Sequence, residues 1–251
     1  MVNLDRREEI LTFLAAHGLT SVHRLAKEMH ASEATIRRDL TALEQEGRLH
    51  RTFGGAIPAE VLNREVPFIM REQKNIEKKR IIAKKAAELI SNGSTLFLDA
   101  SSTVYHLIPY LEPFQDLTII TNSPKTSLAL GARGIANFCA GGELLRDSVS
   151  YVGPQTSTFF QQFNADLLFF SCRGVNNNGV LCDSSLEESQ LRKEILPYAA
   201  KKIFLCDSSK FGVSYRCNIC RLDQVDQVIC DQSELPQRFQ NGLGTGSSPE
   251  F

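Results

Sequence analysis

The sequence holds no tryptophan, three methionines and five tyrosines, and it has no apolar run near the ~18 residues needed to cross a membrane. Its first ten residues, MVNLDRREEI, have no apolar segment behind their charges, so no secretory signal is expected there. A soluble, cytoplasmic protein with no membrane partner is expected. A strong charge of one sign is also missing, because 28 Lys+Arg face 29 Asp+Glu for a net charge of −1. Residues 1–56 are balanced too, with eight basic and eight acidic side chains. A nucleic-acid partner would therefore have to be met by a local basic surface. The seven cysteines are odd in number and scattered, so reduced thiols are expected. Cys217 and Cys220 in "CNIC" have ligand spacing, but no second close pair and no later histidine accompany them. Neither a metal nor a cofactor is expected.

A length of 251 residues corresponds to about 1.7 domains of ordinary size. Residues 1–56 carry helical periodicity and four of the five histidines. The first helix is expected over "DRREEILTFLAAHG", with Asp5 as cap and Gly18 as stop. A second, capped by Ser21, follows in "SVHRLAKEMHA", and a third runs from Ser32 to before Gly47. "RLHRTFGGAI" then reads as a hairpin with its tip at Gly54-Gly55. Residues 57–74, with Pro58 and Pro67, read as a linker. From 75 to 235 short apolar runs ("TLFLDA", "LTIITN", "ANFCAGG", "DLLFFSC", "KKIFLCD") mostly alternate with helical stretches. That alternation predicts an α/β domain, a parallel sheet covered on both faces. Residues 236–251, ending "NGLGTGSSPEF", read as a disordered tail or vector scar.

The stretch "SEATIRRDL" decides the reading of the first unit. On a helical wheel Ile36, Leu40 and Leu43 face the core, while Ala34, Arg38, Thr41 and Gln45 point away, with Thr35 and Arg37 on the flanks. Ser32 is a good N-cap. Small residues in the first turns followed by arginines suit a helix that enters the DNA major groove. Asp39 fits a tie to an arginine or a neighbouring helix. Arg48, His50 and Arg51 on the hairpin are placed as a wing would place them against phosphates. The alternative is an ordinary solvated charge run.

The pattern Arg6…Ile10…Leu14…Ser32-x-x-Thr35-Ile36-Arg37-Arg38-Asp39-Leu40, continued by "LEQEGRLHRTFGGA", resembles the DeoR-type bacterial transcriptional repressors. The resemblance implies an N-terminal winged helix-turn-helix that binds operator DNA through the outward residues of its third helix and its wing. It also implies a homodimer or homotetramer.

In the α/β region Asp99 ends a strand, and Ser101, Ser102 and Thr103 open a helix where free N–H groups and hydroxyls would suit an anion. Asp99 itself suits sugar hydroxyls or a cap. Thr121-Asn122-Ser123 repeats that design. Gly141 and Gly142 permit close approach, Arg146 is available as a phosphate clamp, and Asp207 and Lys210 follow a later strand. These loops share the carboxyl edge of a parallel sheet, where ligands bind.

The motifs "D-x-S-S-T", "TNS", "GG-x-x-x-R", "E-E-S-Q-L-R-K" and "D-S-S-K-F-G" also resemble the DeoR-type effector domain, over roughly 75–231. That implies a Rossmann-like fold akin to ribose-5-phosphate isomerase and a phosphorylated-sugar effector. Its contacts would be Asp99, Ser101, Ser102, Thr103, Thr121, Asn122, Ser123, Arg146, Glu188 and Lys210. Two departures stand out. Where the family has "G-x-D-G" or "G-x-N-G", this chain has Ser171-Cys172-Arg173-Gly174, so Arg173 inverts a local charge and would add an anion contact or make a salt bridge. The family's last strand also has no counterpart in the final residues.

Two functional classes follow. One is a regulator of carbohydrate genes whose DNA affinity responds to a sugar phosphate. The other is a sugar-phosphate isomerase with an accessory DNA-binding domain, using Asp183, Glu187 or Glu188 as base. Arg173 in the loop where related isomerases place a catalytic acid, and the complete DNA-reading module, favour the regulator. The basic stretch "REQKNIEKKRIIAKK" reads as a solvated helix.

Overall fold

The change from helical to strand periodicity near residue 60 corresponds to a division into two units, Met1–Glu65 and Val66–Phe251. The computed structural model describes residues 2–18, 20–46, 48–52, 54–58 and 66–240; the side chains of residues 2–5, 50, 52, 57, 238 and 240 are likewise outside the description.

The first unit comprises α1 (Val2–His17), β1 (Thr20–Ser21), α2 (Val22–Glu28), α3 (Glu33–Gln45), β2 (Leu49–Thr52) and β3 (Gly55–Pro58). Its core is the set the periodicity marks: Ile10 and Leu14 from α1, Val22 and Leu25 from α2, and Ile36, Leu40 and Leu43 from α3. Ser21 and Ser32 cap their helices, accepting from the N–H groups of Arg24 and Thr35 at 3.2 Å each. Asp5 lies inside α1 and is not its cap. Gly55 is not at the hairpin tip, because Thr52 pairs with Gly55 in the β2–β3 ladder. It belongs to β3, and a Cβ there would sit 2.0 Å from the Thr20 carbonyl oxygen. The close approach of β1 to β3 requires this glycine.

Asp39 joins the helices. Its side chain is 1% exposed, and its Oδ2 accepts from Arg6 Nε at 2.7 Å, while Arg7 Nε lies 3.6 Å from Oδ1. The aspartate after the arginine pair thus fixes α1 to α3.

The second unit holds a six-stranded parallel sheet in the order β14-β12-β9-β4-β5-β6. The strands are β4 (Thr95–Leu98), β5 (Thr118–Thr121), β6 (Asn137–Cys139), β9 (Ala165–Phe170), β12 (Ala199–Cys206) and β14 (Gln227–Cys230). Alternate residues serve opposite faces, as period two requires. Phe97, Ile120, Phe170 and Phe204 pack on one side with Phe160, Leu191 and Ile195. Leu96, Leu98, Phe169 and Leu205 pack on the other with Ile82, Ala86 and Val104. The helices are α4 (Phe68–Gln73), α5 (Ile76–Ala87), α6 (Ser102–Tyr105), α7 (Pro124–Gly131), α8 (Pro154–Phe160), α9 (Leu186–Ile195) and α10 (Gln237–Gln240). A hairpin of β7 (Glu143–Leu145) and β8 (Ser150–Val152), and a small sheet of β10 (Gly174–Val175), β11 (Val180–Asp183) and β13 (Cys217–Arg221), complete the unit. From β4 the chain moves outward to β5 and β6, then returns to the other side of β4 as β9. The β4–β9 junction is therefore a topological switch point, where open α/β sheets bind ligands.

Two expected boundaries need correction. The linker of 57–74 is not structureless where it is described: residues 57 and 58 end β3, and α4 buries Phe68 at 1% exposure. An apolar residue just after Pro67, able to pack on Tyr105 edge-on at 5.7 Å, explains the helix. The expected tail does not begin at 236, because α10 buries Phe239 against Phe211 at 5.0 Å. Residues 59–65 and 241–251 lie outside the described residues. In β13 Cys217 and Cys220 are three residues apart, so their thiols leave opposite faces of the strand. Burial pushes the Cys220 thiol up to about 12.

Removing Asp39 would leave two arginines facing an apolar helix junction. Breaking a buried ion pair costs about 3–5 kcal/mol, and because both arginines keep a path to water we expect about 2–3 kcal/mol for Asp39→Ala. Denaturant unfolding of the full chain, followed by a probe in the N-terminal unit, measures this. A change within about 0.5 kcal/mol, the size of an ordinary surface substitution, would remove Asp39 from that role.

Candidate DNA-reading face and effector site

The arginines of the first unit are sorted by their acidic neighbours. Arg37 is held one turn from Glu33, with Nη2 to Oε2 at 3.4 Å, and Glu33 also meets His23 at 3.3 Å. Arg48 is paired with Glu8, which lowers the Glu8 carboxyl and raises the guanidinium. Arg51 donates to Thr41 Oγ1 at 2.6 Å, and its own N–H donates to Glu44 at 2.8 Å. Arg38 is exposed and makes no hydrogen bond or ion pair among the described residues. Ser32 and Ala34 are exposed in the first turn beside it, and Thr35 is partly so. The expected set therefore separates into an unengaged cation, Arg38, small residues around it, and cations (Arg37, Arg48, Arg51) that already hold protein partners. The side chain of His50 lies outside the described residues.

In the second unit, ionic and polar groups converge at the β4–β9 switch point. Asp99, just past β4, accepts from the N–H of Ser101 at 3.0 Å through Oδ1 and from the N–H of Ser171 at 3.2 Å through Oδ2. The same Oδ2 accepts from Arg192 Nε at 2.9 Å. Arg192 Nη1 reaches Asp183 at 3.1 Å, and its Nη2 lies 3.8 Å from Glu188. Ser185 caps α9 and places Glu188 and Arg192 one turn apart on its buried side. Burial opposes the charge on Arg192, but Asp99, Glu188 and Asp183 more than offset it and hold its pKa above the ordinary value. Arg173 Nε lies 3.4 Å from Asp183, so the inverted charge makes a salt bridge.

A second lobe adjoins the first through Ser171. Lys210 donates to Ser171 Oγ at 2.8 Å and Thr103 Oγ1 at 3.4 Å, and lies 3.9 Å from Asp207. Lys79, 3% exposed, donates to Ser102 Oγ at 3.1 Å and to the Arg71 carbonyl. Burial, then Lys210, lowers the Lys79 ammonium to about 7. Asn75 adopts φ 56, a left-handed conformation that asparagine tolerates, and donates to Asp207 at 3.1 Å. Across both lobes five cations (Arg71, Lys79, Arg173, Arg192, Lys210) face four carboxylates (Asp99, Asp183, Glu188, Asp207).

Of the residues expected at the effector site, Asp99, Ser101, Ser102, Thr103, Arg173, Glu188 and Lys210 belong to this cluster. Ser101 acts there as the α6 cap, accepting from Val104. Of the others, Thr121, Asn122, Ser123 and the two glycines serve local structure, although Asn122 Oδ1 is buried with no hydrogen-bond partner among the described residues. Thr121 accepts from the Ser123 N–H, Asn122 exchanges bonds with the Tyr151 backbone at 2.7 and 3.0 Å, and Ser123 caps α7. Gly142 has φ +146, and a Cβ there would meet Thr156 Oγ1 at 2.2 Å, so it serves packing beside Gly141, whose carbonyl accepts from Thr156. Arg146 is exposed between β7 and β8. Sequence reasoning missed Arg71, Lys79, Ser171 and Arg192. Arg192 lay inside the quoted "EESQLRK", but Lys79 and Arg71 sit in a basic stretch that reads as solvated.

Comparison with known proteins follows this division. The DeoR-like helix-turn-helix domain matches residues 6–60, and the DeoR C-terminal sensor domain matches residues 74–232. The chain belongs to the DeoR family. It is 32% identical to the L-fucose operon activator of Escherichia coli (strain K12), over 92% of this chain and 96% of that protein. It is 31% identical to the lactose phosphotransferase system repressor of Staphylococcus epidermidis (strain ATCC 35984 / DSM 28319 / BCRC 17069 / CCUG 31568 / BM 3577 / RP62A), over 95% and 96% respectively. A D-ribose-5-phosphate isomerase in complex with phospho-erythronic acid is a structural neighbour with a TM-score of 0.42 and 20% identity, over 54% of each chain. This DeoR-family chain is a DNA-binding transcriptional regulator. No helix among the described residues is long and apolar enough to cross a membrane.

The depressed Lys79 has a measurable consequence. Unfolded, it titrates near the ordinary 10.5; folded, near 7. Between those values the unfolded chain holds a proton that the folded chain lacks, so this residue's contribution to stability rises with pH, by at most about 1.4 kcal/mol per unit. Below pH 7 the penalty of the buried charge is full and constant. The difference in unfolding free energy between the native chain and Lys79→Met is expected to shift by about 1 kcal/mol per unit from pH 7.5 to 9. A pH-independent difference would mean that Lys79 is not buried as a neutral amine.

Proposed function

We propose that this regulator is a repressor of carbohydrate-metabolism genes whose operator affinity is set by a phosphorylated sugar bound at the β4–β9 switch point. The observation that carries the reading is the second lobe. Two ammonium groups, three hydroxyls and one carboxylate meet there with a cation in excess, at the sheet edge where ligands bind. A phosphate takes the ammonium groups and the hydroxyls of Ser102 and Thr103, and the carboxylates accept from sugar hydroxyls. Bound phosphate would favour the charged form of Lys79, so affinity should fall as pH rises above 7. The relatives' names fit carbohydrate control, one as an activator and one as a repressor. Repression is our reading for this chain, and a homodimer or homotetramer would supply the paired half-sites of a symmetric operator.

The decisive experiment titrates the protein into a labelled fragment from upstream of its own gene, with and without a panel of sugar phosphates, and assays the mixtures for turnover. Specific binding weakened by one unconsumed sugar phosphate is expected. Conversion of a sugar phosphate without DNA binding would replace the regulator by an isomerase.

Two substitutions separate the units. Arg38→Ala is expected to lower operator affinity by about 1–3 kcal/mol while leaving the thermal response to sugar phosphate intact. Lys210→Ala is expected to do the reverse, abolishing that response at unchanged DNA affinity. Loss of both properties in either variant would signal misfolding, and loss of neither would remove that residue from the assigned face.

A further inference from the structure

The first lobe contains a feature that holding the fold does not require. The Val66 carbonyl, at the first residue of the second unit, accepts from Arg71 Nε at 2.9 Å and is 3.4 Å from Arg173 Nη2. Two guanidinium groups thus converge on one neutral oxygen. Arg71 has no carboxylate within ion-pair distance among the described residues, and its buried Nη2 has no hydrogen-bond partner there. Burial and the neighbouring Arg173 both depress its pKa, although an arginine stays charged. Arg173 shares Asp183 with Arg192, and Asp183 Oδ1 also accepts from the Ser184 N–H at 2.7 Å. Arg71 thus has no ion-pair partner of its own among the described residues, and Arg173 has only a carboxylate that it shares with Arg192.

We propose that Arg71 and Arg173 form a second anion seat, now filled by the Val66 carbonyl, which selects effectors that carry a second acidic group. A sugar bisphosphate or a phosphorylated sugar acid is the matching class. The inference rests on the sugar-phosphate reading of the second lobe, since the first acidic group is the phosphate held by Lys79 and Lys210. Filling the seat would draw N–H donors off Val66, where the chain enters the unit from the DNA-binding side. Selection and response to the effector would then share the same two side chains.

The test uses the full chain and the shift of its thermal midpoint on titration with fructose 6-phosphate, fructose 1,6-bisphosphate and 6-phosphogluconate. One of the two diacids is expected to bind at least about tenfold tighter than fructose 6-phosphate, as one charge-assisted contact implies. In Arg173→Gln that ratio should fall to about one, with affinity for fructose 6-phosphate kept within about threefold. Arg71→Gln, which unpairs no carboxylate, should do the same and covers the case in which Arg173→Gln does not fold. Equal affinity for mono- and diacids in the native chain, or a preference that survives in Arg71→Gln, would overturn the second seat while leaving sugar-phosphate sensing in place. No shift with any of the three would overturn both, whereas a shift with fructose 6-phosphate alone would overturn only the seat.

Discussion

The second unit depends on a buried arginine. Arg192 is 5% exposed on its side chain and is surrounded by Asp99, Asp183 and Glu188. Taking a guanidinium out of water costs several kcal/mol, and only near-complete hydrogen bonding repays it. The carboxylates that repay it come from different elements: the end of β4, the end of β11 and the first turn of α9. One side chain therefore fixes the switch-point loops relative to one another. Asp99 carries the constraint further by accepting from the backbone of Ser101 and Ser171, which sets the loops after β4 and β9. With three carboxylates gathered around Arg192, Arg173 has to share Asp183 with it.

The same principle operates in the first unit, in miniature. Acidic residues decide which arginines are structural and which are available. Asp39 engages Arg6 and Arg7, Glu33 engages Arg37, and Glu8 engages Arg48. Arg38 is left without a partner among the described residues, on the face opposite Ile36 and Leu40. A balanced charge over residues 1–56 is thus compatible with DNA reading, because neutrality is reached by pairing that leaves one face basic.

Much of this was legible in the sequence, for physical reasons. The core of α1–α3 followed from apolar spacing, and the caps at Ser21 and Ser32 followed from residue type, because both are local properties. The parallel sheet followed from alternation of short apolar runs with helices. What could not be read was pairing across the sequence. Lys79 in "IEKKRIIAKK" has the composition of a solvated face, and only the fold buries it against Ser102. Thr121, Asn122 and Ser123 repeat the design of the Ser101–Thr103 loop, and their N–H and hydroxyl groups are engaged by β8 and by the α7 cap while Asn122 Oδ1 is buried without a partner among the described residues. The β10-β11-β13 sheet was hidden because its strands are short and β11 pairs with β13 across a long separation. Phe239 was missed because it stands alone among polar neighbours, and Phe68 because the apolar run around it is short and follows Pro67.

The ion network also bears on why a sheet edge suited to sugar phosphates supports sensing here. An isomerase needs a carboxylate within reach of a sugar C–H, with a lone pair free to take the proton. Asp99 and Asp183 hold ion pairs with Arg192 and bonds from backbone N–H groups, and Glu188 accepts from Ser150 beside the same guanidinium. Glu187 is exposed at the start of α9 and accepts from Ser185. Protonating Asp99, Asp183 or Glu188 would break a buried pair with Arg192, a pairing in which Glu187 takes no part. The interactions that hold the switch-point loops together are therefore the same ones that occupy the site's three buried carboxylates.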